Sequence, residues 1–141
     1  MNISKSGNYT NLCTGSARVE YQYFARALAE MLNGISDSGY IGKLSRFERN
    51  SGAVASGVYK HHIRLPDVDN PWPADSEIYR RTSDAFLVFT THCFYAEYVQ
   101  VLYILSPPAH ARVDGILPQF INKAEKFHSL SKADLKELRH W

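Results

Sequence analysis

Cysteine is scarce: Cys13 and Cys93 are the only two, with no CxxC pair and no histidine nearby at zinc-ligand spacing. A disulfide framework or a structural zinc site is therefore not expected, and two reduced thiols are. No run of about 18 apolar residues occurs, which leaves no candidate membrane span. The first six residues (MNISKS) lack an apolar stretch followed by a small-residue cleavage site, so a cytoplasmic location is the expectation. Also missing are a glycine-rich phosphate loop, a nucleophile elbow, an HExxH pair, a calcium loop, any internal repeat and any low-complexity tract. No metal or cofactor is called for. Charge of one sign is not in excess either: 16 Lys and Arg stand against 14 Asp and Glu, a formal net charge of +2. Only the distribution of that charge can speak for or against a polyanionic partner.

Apolar residues are plentiful. At 141 residues, 45% apolar and 13% aromatic, the chain suits one globular domain with a single core, and it is too apolar for disorder. Residues 1–15 read as loop, with a short strand near Ile3. Ser16 is placed to cap a helix whose apolar positions (Val19, Tyr23, Phe24, Ala27, Leu28, Met31, Leu32) recur at helical spacing, and Gly34 stops it. Five glycines between residues 33 and 57, around a basic cluster of Lys43, Arg46 and Arg49, predict a long loop with at most a short helix.

Three strands are expected next, over residues 58–65, 85–93 and 98–105. The first alternates, with Tyr59, His61, Ile63 and Leu65 on one face and Val58, Lys60, His62 and Arg64 on a wet one. The other two are apolar on both faces, as central strands are, and join through a hairpin turn at residues 94–97. Pro66, Pro71 and Pro73 break the ladder between the first two strands, and Pro107 with Pro108 ends the third. Asp114 then opens a helix with an apolar stripe from Ile116 to Phe127 and Pro118 in its first turn. Ser131 and Asp134 form a capping-box pattern for a second short helix. The pattern predicts an α+β domain in which N-terminal and C-terminal helices pack on a small antiparallel sheet.

Lys60, His62 and Arg64 alternate along the first strand and so project together at roughly 7 Å intervals. Three potential cations without an acid among them make a phosphate-binding track, although charged edge strands also guard against aggregation. Tyr79, Arg80, Arg81 and Asp84 lie just before the second strand, where two guanidinium forks could join that track and Asp84 could orient one of them. His110 follows a proline-stiffened loop at the end of the third strand and is a candidate for proton transfer. His61 and His92 read as structural, and His128 and His140 receive no role.

Read together, the middle of the chain resembles a known family. His62-Ile63-Arg64-Leu65, Asn70-Pro71-Trp72-Pro73, Arg81-Thr82-Ser83-Asp84, Ile104-Leu105 followed by Pro108-Ala109-His110, and Lys123-Ala124-Glu125-Lys126-Phe127 are similar in order and spacing to the motifs of YafO-type toxins of bacterial toxin–antitoxin pairs. The family pattern reads approximately HIHL, NPFP, RTND, a strand ending in IL, a Pro and His, and an AE-x-F helix. Here Arg64 replaces its second histidine, Trp72 its phenylalanine and Ser83 its asparagine. The likeness covers about residues 58–128 of a single domain spanning 1–141, with residues 1–15 and 129–141 peripheral.

The resemblance implies a ribosome-dependent mRNA endonuclease, neutralised by a cognate antitoxin, with a RelE-like, microbial-ribonuclease-like fold. On that reading His62 and His110 are base and acid in either order. Arg64 and Arg81 join them in stabilising the transition state, while Lys60, Arg80, Tyr79 and Asp84 line the RNA. Two other readings share the fold class: a toxin that acts by binding, such as a gyrase poison, and a non-catalytic RNA-binding domain. Mapping mRNA ends against DNA breaks separates the three.

Overall fold

A computed structural model describes residues 12–141. The strand expected near Ile3 lies outside them. The elements are β1 (Leu12–Thr14), α1 (Val19–Leu32), β2 (Ile41–Arg46), α2 (Ser51–Ala55), β3 (Val58–Ile63), a 3-10 turn (Ile78–Arg80), β4 (Phe86–Thr91), β5 (Tyr98–Leu105), α3 (Ala109–His128) and α4 (Lys132–Glu137). The class is α+β, and the sheet has five strands in the order β1-β5-β4-β3-β2. Strands β2 to β5 form an antiparallel meander, while β1 runs parallel to β5, so the sheet is mixed.

Both faces of the sheet are covered. On one, Phe24 and Leu28 of α1 pack against Ile41, Ile63, Leu87 and Val99. On the other, Val113, Leu117 and Phe120 of α3 pack against Phe86, Val88, Leu102 and Leu105. Alternation along β4 sends Phe86 and Val88 one way and Leu87 the other, which is why its sequence is apolar throughout. The face of β3 expected to be wet is therefore largely roofed by α3: Val58 and His62 are buried and Lys60 is half-buried.

Several boundaries differ from those read in the sequence. Residues 33–57 contain the strand β2 as well as the short helix α2 that the reading allowed, so the long loop is corrected at β2. Ser16 sits ahead of α1, whose N-cap is Arg18. Helix α3 begins five residues before Asp114, capped by Pro108, which places His110 in its first turn and Pro118 in its interior. The final residues are packed, contrary to a peripheral tail: Leu135 is buried, Trp141 joins the α1-side core, and the Trp141 N–H donates to the Cys13 carbonyl at 2.9 Å. Both cysteines are free. Cys13 is buried, which pushes its thiol pKa up, and Cys93 is exposed.

Candidate active site

At one end of the sheet, β3 finishes, β4 begins, β5 finishes and α3 starts. Register places His62 directly opposite Phe86, and the Phe86 ring becomes a hub. The Lys60 ammonium lies 4.1 Å from its centroid, the His110 ring 4.7 Å and the His62 ring 5.3 Å; the two imidazoles are 5.9 Å apart. Residues 50 positions apart in the chain thus share one small surface because β3 and the start of α3 flank the same aromatic residue.

Each imidazole is held through Nδ1. In His62, Nδ1 lies 2.8 Å from the Ser83 carbonyl oxygen, and the Ser83 N–H is 2.9 Å from the same atom. With its proton on Nδ1 the ring donates to that carbonyl and offers a lone pair at Nε2; the other tautomer accepts from the amide. In His110, Nδ1 lies 2.7 Å from Asp84 Oδ1, which also accepts the His110 backbone N–H at 2.8 Å. No described residue hydrogen-bonds Nε2 of either ring. A pair of imidazoles fixed at one nitrogen and open at the other can take and give protons to a molecule placed between or beside them.

The electrostatics separate the two. Burial lowers the His62 pKa below its ordinary 6.5; the Ser83 carbonyl partly opposes this, and the charges of Lys60, His110 and Lys43 add to the lowering. His62 is thereby neutral near pH 7. The Asp84 carboxyl is held below the usual range, chiefly by the His110 backbone N–H and then by the His110 ring, so an ionised carboxylate faces any positive charge that develops on His110. Burial also lowers Lys60, partly countered by Asp114. An anion arriving there restores the stability of the ammonium form.

Other residues singled out from sequence go elsewhere. Arg81 is 1% exposed and its guanidinium is spent: it forms a fork on Asp37 at 3.2 Å to each oxygen and donates to Ser76 Oγ and to the carbonyls of Ser38, Ile41, Pro73 and Ser76. It is a structural clamp, which corrects its assignment to the transition state. Arg64 falls beyond the end of β3, lies over the Trp72 ring at 4.6 Å and donates to the Asn70 carbonyl at 3.2 Å. Arg80 pairs with Glu77 and lies over the exposed Tyr79. No described contact joins Arg64, Arg80 or Tyr79 to the imidazole pair. Asp84 orients His110 and no arginine.

The remaining histidines are structural. His61 bonds the Gly42 carbonyl at 2.7 Å and stacks on Phe89. His92 ties the β4–β5 turn to the Leu130 carbonyl, and His128 bonds the Ser56 carbonyl. Among the described residues, no group of three or more His, Cys, Asp or Glu is arranged to hold a metal ion. What sequence reasoning missed is a groove of about 390 Å³ that opens beside Lys60 and His110, walled by the β2–α2 turn and by α3. Its signal was the basic cluster around Arg46 and Arg49, obscured because β2 was read as loop.

Fold and site define a small α+β protein with a paired-imidazole, lysine-bearing cleft at one end of its sheet. The chain belongs to the YafO toxin family of type II toxin–antitoxin systems, whose family model matches residues 21–129. Membership implies a cognate antitoxin. No match was found among curated proteins or among solved structures, so the RelE-like reading of the fold rests on the family alone. Among the described residues, no helix is long and apolar enough to cross a membrane.

Proposed function

We propose that this toxin is an endoribonuclease that cuts mRNA on the translating ribosome, using acid–base chemistry of its own side chains. The observation that carries the reading is the convergence of His62, His110 and Lys60 on Phe86, with Nε2 of both rings unengaged. His62, kept neutral by burial, removes the proton from a ribose 2′-hydroxyl. The 2′-oxygen attacks phosphorus, the bond to the 5′-oxygen breaks, and His110 delivers a proton from Nε2 to that leaving oxygen, giving a 2′,3′-cyclic phosphate and a 5′-hydroxyl. Lys60 balances the charge that builds on the phosphorane, and Asp84 steadies the His110 imidazolium.

The rings lie at one shallow end of the sheet, a surface that grips phosphate without aligning the 2′-oxygen for in-line attack. The ribosome is the natural source of that alignment, and orientation accounts for a large part of such rates. Inducing His62→Ala and His110→Ala variants in bacteria and mapping mRNA ends tests the reading. Each is expected to lower cleavage roughly 100- to 10,000-fold. Wild-type cleavage by both variants, or DNA breaks in place of mRNA ends, would overturn it.

A further inference from the structure

We infer that the groove between the β2–α2 turn and α3 is a nucleotide subsite, which takes one residue of the RNA next to the scissile phosphate and reads its base. The inference rests on the nuclease reading above and extends it to residues outside the imidazole pair. Lys60 and His110 form one end of the groove, so whatever occupies it is continuous with the reacting phosphate. Its volume of about 390 Å³ falls within the roughly 300–1,000 Å³ range of small-ligand pockets. Buried Phe47, Val113 and Leu117 give it an apolar component.

The polar lining decides what kind of ligand fits. Arg49 is exposed and its guanidinium has no hydrogen-bond or ion-pair partner among the described residues, whereas the Arg46 guanidinium is engaged with Tyr59. Glu48 and Asp114 are exposed acids on opposite walls, and Asp114 acts electrostatically on Lys60. The Asn50 Oδ1 is occupied in capping α2, accepting the Ala53 N–H at 2.9 Å, which leaves its amide N–H groups to donate. Two acids within the groove repel a bare phosphate. They suit a ligand that brings negative charge at one end and hydrogen-bond donors at the other, which describes a nucleotide. Arg49 then takes the neighbouring phosphate, and Asp114 accepts from the base edge, favouring a base with an exocyclic amine.

The test uses the whole protein, labelled with ¹⁵N, titrated with a 2′-O-methylated RNA hexamer that keeps bases and phosphates but cannot be cut. Saturable amide shifts are expected at residues 47–50 and 110–117. Arg49→Glu should weaken binding and lower the salt slope by about one. Shifts confined to residues 64 and 79–80, or no saturable shift, would overturn the subsite. In cells, Asp114→Asn should change the base preference beside the cut roughly tenfold. An unchanged cut map and cutting level in both variants sinks the subsite while leaving the nuclease reading intact. Groove-localised shifts in a protein that cuts no mRNA sink the nuclease reading and leave the subsite as an RNA-binding groove.

Discussion

His110 and Asp84 act as one unit, because a single carboxylate oxygen holds both the ring and the backbone amide of the histidine. Asp84→Asn keeps an acceptor oxygen while removing the charge. It is expected to lower cleavage by about an order of magnitude or more, since positive charge on His110 loses its counter-charge. Unchanged cleavage would show that Asp84 only caps the helix. Arg81 makes a contrasting case. Arg81→Met is expected to cost about 3–5 kcal/mol, read from denaturant unfolding, because it leaves Asp37 without its cation and takes a donor from the carbonyls of Ser38, Ile41, Pro73 and Ser76. Sequence reasoning singled out His62 by its alternation along the strand and His110 by its place after the paired prolines. It could not separate Arg81 from Arg80, because the separation depends on Asp37, which is distant in sequence and carries no local signal.

Among the elements, β5 is legible to the residue, since a run of eight residues, all apolar or β-prone but Gln100, between a turn and two prolines admits one assignment. Strand β2 is not, for Gly42 and the glycines on either side of the strand mimic a loop. Gly42 is there because the chain carrying Arg81 lies against it: a Cβ would come within 2.7 Å of the Arg81 Cβ and 3.0 Å of the Trp72 ring. Gly42→Ala should therefore destabilise the fold by roughly 1–3 kcal/mol through overpacking, measurable as a drop in melting temperature. The start of α3 was hidden for another reason. Its N-terminal cap is supplied by tertiary contacts, the Asp84 carbonyl to the Ala109 N–H and the Asp84 carboxylate to His110, in place of a local Ser or Asp. The same contacts that made the boundary unreadable place His110 at the site.

For the molecule as a whole, acid should loosen the fold in two stages. His61 and His62 both have native pKa values below their ordinary 6.5, burial being the main cause. Above that value neither state is protonated; as pH falls through it the unfolded chain binds protons that the native one refuses, so stability declines. Asp84, whose native pKa lies below its ordinary 3.8, contributes stability that is lost further down as the folded carboxylate finally protonates. Melting temperature is expected to fall between pH 7 and 5, and a flat profile across that range would contradict the assignment of burial at both histidines.

Arg81, Ser83 and Asp84 lie within four consecutive residues, and each grips something different: the 33–41 segment, the His62 ring and the His110 ring. The two imidazoles and a remote loop are thereby tied to one short strap. Freeing Asp37 and Ser38 from Arg81 is expected to slacken the strap and with it the hold on both imidazoles. On the proposed mechanism, inactivation is therefore expected to begin below the temperature at which the core melts, checked by comparing residual cleavage after heating with the unfolding curve.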